Sequence, residues 1–140
     1  MEFSSDYNEI NEKDLITLRR IEDSSTKLQE QGHYLEALEC MERALVLRNH
    51  LFGPNSIEVK ASRKSVGELC NLLAMKNLEK NDFNSAIALL RKATILTKQN
   101  PLNLAVTYNN LACYNRKQGK LRTALQFLQK ALKIEERCGS

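Results

Sequence analysis

The sequence is poor in the residues that make turns, with only five Gly and two Pro among 140 residues. A domain of many short strands needs more turn residues, and a chain that is 42% hydrophobic is too apolar to be disordered. No apolar run approaches the roughly 20 residues that a membrane-spanning helix requires. We therefore predict one all-α domain without a membrane span.

The first residues of the sequence are poor in apolar side chains. Residues 1–14 are polar and carry five acids against one lysine, whereas a secretory signal is basic and then apolar. This difference predicts a cytoplasmic location. We expect residues 1–11 to form an acidic, disordered tail; the alternative is a tail that folds back onto the basic C-terminal part.

Sequence signatures of catalysis and of metal binding are missing too. The cysteines lie 30, 43 and 25 residues apart without a CxxC pair; they are Cys40, Cys70, Cys113 and Cys138. That spacing does not fit a zinc site, and reduced thiols pack as small apolar residues. The chain has no glycine-rich phosphate loop and no HExxH, and its two histidines are isolated. We predict a protein that is not an enzyme and has no cofactor, metal or small-molecule substrate.

Charge is distributed unevenly along the chain. Residues 1–14 have a net charge of −4, whereas residues 83–140 hold ten Lys and Arg against two Glu, a net +8. Such a basic region should attract acidic partners. The sequence does not favour RNA as a partner, because the aromatic residues of this region, Tyr108, Tyr114 and Phe127, fall in or near packing stripes and offer no stacking platform.

What the chain does contain is one pattern in three copies. The copies begin at Gln31, Lys80 and Gln118 and align over 17 residues without a gap. Each has a turn residue, a large apolar residue two positions later, and two alanines seven apart. The turn residues are Gly32, Asn81 and Gly119; the alanines are Ala37 and Ala44, Ala86 and Ala93, and Ala124 and Ala131.

Each shared position has a physical role in a pair of helices. Gly or Asn tolerates the left-handed backbone with which a helix ends. Alanines seven apart lie on one helical face and let a neighbouring helix approach closely. Asn100-Pro101 and Asn55 with Glu58 are typical helix starts. The pattern predicts six helices near residues 12–31, 34–51, 56–80, 83–99, 101–118 and 121–137.

These features resemble the tetratricopeptide repeat, which also has a leucine and a small residue on its first helix, as in Leu73-Ala74 and Leu111-Ala112 here. The stretches ALVLRNHLFGPNSIEV and YNNLACYNRKQGKL are similar to the long repeats of the kinesin-light-chain type. The sequence departs from that pattern at Asn77 and Asn115, where the family has tyrosine. It also departs at Ser24-Ser25, which replaces the leucine and the small residue.

The resemblance implies an α-solenoid of three repeats, at about residues 12–53, 55–99 and 100–138, within a domain spanning 12–140. In this family the first helix of each repeat lines a concave groove that takes a peptide. The positions beside the core stripes are Arg19, Asp23, Thr26 and Glu30; Glu68, Leu72, Met75 and Glu79; and Val106, Asn110, Cys113 and Lys117, with Arg116 alongside.

Six of these residues form the predicted partner-binding site: Leu72, Met75, Asn110, Cys113, Arg116 and Lys117. Leu72 and Met75 would hold an apolar anchor, and Asn110 can both donate to and accept from a peptide backbone. The two cations would attract an acidic peptide. The alternatives are that Leu72 and Met75 are core residues and that the cations only complement a helix dipole.

The last helix has an apolar face wider than one neighbour can cover, with leucines throughout residues 121–132. A solenoid normally ends on a polar capping helix. We expect either a fragment of a longer array or a homodimer that uses this face. The leading hypothesis is an adaptor that binds a partner peptide; the alternative is a cytoskeletal or assembly scaffold.

Overall fold

A computed structural model describes residues 11–139 and contains six helices, with no strand in that range. The helices are α1 (Glu12–Glu30), α2 (Tyr34–Phe52), α3 (Ile57–Glu79), α4 (Phe83–Leu96), α5 (Pro101–Lys117) and α6 (Leu121–Gly139). This architecture confirms the predicted all-α helical-repeat fold. The predicted tail is outside this range apart from Asn11, whose side chain caps α1 by accepting from the Lys13 N–H.

The three predicted turns adopt one backbone conformation. Gly32, Asn81 and Gly119 have φ of 81°, 62° and 78°, the left-handed region in which a Cβ is unfavourable. After each turn residue, the next N–H donates to the carbonyl five residues earlier, at 2.8, 2.9 and 2.8 Å. This bonding closes each first helix in the same way, so every second helix leaves its turn in the same direction.

Two predictions about helix ends need correction. Asn55 does not cap α3; the Ser56 side chain does, because its Oγ accepts from the Val59 N–H at 3.2 Å. Serine is as good an N-cap as asparagine, so the sequence alone did not separate them. Helix α4 ends at Leu96 rather than near residue 99: Thr97 is its C-cap, with φ −96° and ψ 1°, and the Thr97 N–H still donates to the Ala93 carbonyl at 2.9 Å.

The chain divides into two compact units between residues 62 and 63. In the first unit, α1 packs against α2 through a small core; its members are Leu18, Ser25, Ala37, Leu38 and Ala44. Arg48 of α2 forms an ion pair with Glu22 of α1 and donates to the Glu58 carbonyl at 2.9 Å. That guanidinium therefore joins three segments of the unit.

The second unit holds the rest of α3 together with α4, α5 and α6. Its four repeat alanines are all buried, as predicted, and they pack with larger residues; among these are Val66, Leu69, Leu78, Leu90 and Leu111. Gly67 lets α3 approach the end of α4, because a Cβ at this position would lie 2.7 Å from Thr97 Cγ2. Thr97 therefore lies directly against the backbone of α3 at Gly67.

Candidate binding cleft

A cleft of about 310 Å³ lies between α3 and α5 in the second unit. Its lining is Glu68, Asn71 and the pair Leu72 and Met75 from α3, with Asn103, Val106 and Asn110 from α5. Both helices are the first of their repeats, so their facing sides are those that the sequence assigned to a groove. Three of the six predicted site residues, Leu72, Met75 and Asn110, meet here.

The walls of the cleft are apolar and open to solvent. Leu72 is 44% exposed and Val106 is 48% exposed, while Met75 is partly buried between them and the core. Leu72 is thus not a core residue, contrary to the alternative interpretation. Apolar side chains that face one another across an open cleft gain free energy when a ligand removes them from water.

The floor of the cleft is a pair of amides. Asn110 Nδ2 donates to Asn71 Oδ1 at 3.0 Å across the gap between the two helices. Asn71 Nδ2 in turn donates to Thr107 Oγ1 at 2.9 Å, below the surface of the cleft. Asn71 and Thr107 are buried and Asn110 is partly buried, so this polar chain is shielded from competition by water.

Sequence reasoning missed Asn71 and Thr107. The signal was present, because Asn71 interrupts the apolar run Leu69-Cys70-Asn71-Leu72-Leu73, and a polar residue inside such a run needs a buried partner. The partner could not be identified, since Thr107 is 36 residues away and its contact with Asn71 depends on how the two helices are placed.

Asn103 is a second missed residue. It lines the cleft one helical turn before Thr107, and its carbonyl accepts from the Thr107 hydroxyl at 3.1 Å. Its Nδ2 is buried and has no hydrogen-bond partner within residues 11–139. An unpaired buried amide of this kind typically costs about 1–3 kcal/mol, and a ligand carbonyl can remove that cost if the side chain turns toward it.

The other three predicted site residues are not part of the cleft lining. Cys113, Arg116 and Lys117 follow Asn110 along α5, toward its C-terminal end. Lys117 Nζ donates to the Leu78 carbonyl, near the end of α3, at 3.4 Å. The same carbonyl also accepts from the Asn81 N–H at 3.0 Å. Because a cation is favourable at the C-terminal end of a helix, the Lys117 contact stabilises this helix end whether or not a ligand is bound.

The predicted groove residues of the first repeat belong to the first unit. Arg19, Asp23, Thr26 and Glu30 are all exposed on α1. Two charged side chains and a threonine stand where the second repeat has Glu68, Leu72 and Met75. At these positions α1 therefore has no apolar side chain of the kind found in the cleft.

Within residues 11–139, no group of three or more His, Cys, Asp or Glu side chains is arranged to hold a metal ion. None of the helices described combines the length and the hydropathy needed to cross a membrane.

The sequence matches a family model at two segments. Residues 28–58 and 104–140 match the model described as tetratricopeptide repeat. The first segment covers α2 and its flanking turns, and the second covers most of α5 and all of α6, including Val106, Thr107 and Asn110 of the cleft. No curated protein shows significant similarity to the chain.

Proposed function

Since the chain belongs to the tetratricopeptide repeat family, we propose that it is a cytoplasmic adaptor that holds a partner peptide in the cleft between α3 and α5. Repeats of this family generally mediate protein–protein interaction. The proposed ligand is a short extended segment with an apolar side chain that packs between Leu72 and Val106. The cytoplasmic location stays the prediction drawn from the sequence.

One observation carries the proposal: the cleft combines exposed apolar walls with an ordered amide floor. An extended peptide has this same combination, apolar side chains on one side of a polar backbone. The walls would provide affinity through burial, and the amides would pair with backbone groups that otherwise lose their hydrogen bonds to water. A small apolar metabolite would offer no backbone group to the amide floor.

The charge of the ligand is proposed from the residues beyond the cleft. Arg116 is exposed at the C-terminal end of α5, six residues past Asn110, which is about 9 Å along a helix. An extended peptide covers that distance with about three residues. We therefore propose an acidic residue about three positions from the residue that pairs with Asn110.

Peptide selection tests the proposal directly. A phage-displayed library of random dodecapeptides is selected on the full chain, and a selected peptide is titrated by fluorescence anisotropy against wild type and Val106→Lys. A lysine on the cleft wall leaves an unpaired charge against the apolar anchor, so we expect affinity to fall about tenfold or more.

Leu102→Lys is the matched control. Leu102 lies one turn before Val106 on α5, is 57% exposed, and does not line the cleft. Its substitution adds the same charge and should change affinity by less than about twofold. Failure to select any peptide, or equal losses in the two variants, would contradict the proposal. Oligonucleotides serve as a second ligand class: binding that is steeply salt-dependent for RNA alone would favour an RNA-binding function.

A second candidate function follows from α6. Four leucines of this helix are between 47% and 67% exposed; they are Leu121, Leu125, Leu128 and Leu132. Their spacing of four, three and four residues forms one continuous stripe. Such a stripe supports a scaffold that assembles through this face, either with a second copy or with another helical repeat.

Sedimentation velocity separates the scaffold from the peptide-binding adaptor. If the leucine stripe joins two copies, the sedimentation coefficient rises with concentration and Leu128→Glu abolishes the rise. A monomer at all concentrations excludes the homodimer. Peptide binding that survives Leu128→Glu but not Val106→Lys favours the adaptor.

A further inference from the structure

A pair of threonines lies beneath the cleft and has no part in the function proposed above. Thr97 follows α4, Thr107 lies on α5, and both are fully buried. Their hydroxyl oxygens are 3.2 Å apart. Buried hydroxyls need hydrogen-bond partners, and the partners of these two decide how the cleft floor is oriented.

The hydrogens of both hydroxyls are committed to oxygen acceptors. Thr97 Oγ1 donates to the Ala93 carbonyl at 2.7 Å. Thr107 Oγ1 has the Asn103 carbonyl at 3.1 Å and Thr97 Oγ1 at 3.2 Å as acceptors for its single hydrogen. Thr107 Oγ1 therefore accepts the hydrogen bond from Asn71 Nδ2.

That assignment fixes the orientation of two amides in succession. The end of Asn71 that faces Thr107 must be the Nδ2 donor, at 2.9 Å, which turns Asn71 Oδ1 toward Asn110. The end of Asn110 that faces Asn71 must then be its own Nδ2, at 3.0 Å. Asn110 Oδ1 is at the opposite end of its amide group and is the part not bonded to Asn71.

We infer that Thr97, Thr107 and Asn71 form a relay that positions the Asn110 amide, so that Asn110 Oδ1 accepts a hydrogen bond from a backbone N–H of the bound peptide. This inference rests on the proposed function and adds a requirement for the ligand. The peptide must have a free N–H beside its apolar anchor, so proline or an N-methylated residue is excluded there. Asn71 and Thr107 act through Asn110 as positioning residues.

The relay can be measured without any ligand. In Thr107→Val, Asn71 Nδ2 loses its acceptor and both amides gain rotational freedom. We expect hydrogen exchange of the Asn71 and Asn110 side-chain amides, followed by NMR, to accelerate about three- to tenfold, the equivalent of one hydrogen bond. Thr107→Ser keeps the hydroxyl and should restore slow exchange.

Thr94→Val is the control for losing a threonine hydroxyl. Thr94 Oγ1 donates to the Leu90 carbonyl of its own helix, at 2.8 Å, and takes no part in the hydrogen bonds of the relay. Its substitution should leave both amides as in wild type. If Thr107→Val and Thr94→Val have the same effect on the two side-chain amides, the relay is refuted.

N-methylation of the selected peptide tests the ligand requirement. Each backbone nitrogen is methylated in turn, and one position beside the anchor should lose about tenfold or more in affinity for wild type. In Asn110→Ala, methylation at that position should no longer lower the affinity. In Thr107→Val the loss on methylation should be smaller than in wild type, and in Thr107→Ser it should be as large as in wild type. A structural defect would weaken all the peptides equally and would leave the pattern along the peptide unchanged.

The two proposals fail in different ways. If no peptide binds in the cleft, the proposed function is wrong, while the ligand-free exchange measurement still decides the relay. If a peptide binds in the cleft and loses the same affinity in wild type and Asn110→Ala on methylation, the proposed function stands and the relay inference is wrong.

Discussion

Ten residues before its turn, the first repeat carries Glu22 and the second carries Asn71. Glu22 forms an ion pair with Arg48 of the same repeat, and Asn71 forms amide hydrogen bonds that reach α5. The repeat position ten residues before the turn thus links two helices of the same repeat in the first unit, through the ion pair. In the second unit it orders the floor of a cleft between two repeats.

The next position shows the same contrast. Nine residues before the turn stand Asp23 in the first repeat, Leu72 in the second and Asn110 in the third. A charged group stays hydrated, whereas a leucine and an amide facing one another provide the apolar and polar halves of a peptide site. The buried alanines hold the repeat together, and the side chains on the first helix decide what each repeat does.

The largest effect should fall equally on both units. Ala37 and Ala86 occupy the same repeat position and both are 0% exposed. Ala37→Leu or Ala86→Leu should each lower the free energy of unfolding by about 1–3 kcal/mol through overpacking, measured by urea denaturation. The exposed Ala61→Leu is the control and should change little. A large effect at only one of the two buried sites would show that the repeats do not share a scaffold.

The next effect should be confined to the first unit. Glu22→Gln removes the charge that faces the partly buried Arg48 and should cost about 1 kcal/mol, since both side chains are in part exposed to solvent. Glu39→Gln, exposed on α2, is the control. Peptide affinity should not change in either variant. A loss of peptide binding in Glu22→Gln would erase the functional difference between the units.

The third prediction concerns the substitution Asn103→Ala, at a residue that lines the cleft of the second unit. Removing the unpaired buried Nδ2 and introducing a better helix former should raise the free energy of unfolding by about 0.5–1 kcal/mol. Affinity for the selected peptide should fall at the same time. Asn109→Ala gains helix propensity only and should bind the peptide normally. A stability loss in Asn103→Ala would mean that this side chain serves the fold rather than the ligand.

The smallest effect concerns the cations beyond the cleft. Arg116→Glu with Lys117→Glu should weaken the binding of an acidic peptide only about twofold at physiological salt, because the charges are screened, and should flatten the dependence of affinity on salt. Lys133→Glu with Arg137→Glu makes the same change in net charge on α6 and is the control. Equal behaviour of the two pairs would limit the role of charge to long-range attraction by the basic region.

The sequence was sufficient for the fold, because the turn residues and alanines recur at fixed spacing and each has a local physical cause. It was also sufficient to bring Leu72, Met75 and Asn110 to one surface. It could not supply the relay, since the contacts of Asn71 with Thr107 and Asn110 span 36 and 39 residues. Cys113, Arg116 and Lys117 lie farther along α5, outside the cleft lining, and their role in partner binding stays a prediction.

The resemblance to kinesin-light-chain-type repeats, the division into three repeats and the acidic partner stay predictions. Of the residues expected to lie in a groove, those on α1 belong to the first unit and include no apolar side chain like those of the cleft in the second. A periodic pattern identifies which face of a helix is free. It does not tell which free face has a partner.

The most direct test of the central claim is a titration of the selected peptide, followed through the side-chain amides of asparagine by ¹⁵N NMR. We predict that the largest chemical-shift changes occur at the side-chain amides of Asn71, Asn103 and Asn110, with little change at Asn49 on α2 or Asn84 on α4. Shifts that leave Asn71 and Asn110 unchanged while the peptide is saturably bound would show that the cleft between α3 and α5 is not the binding site.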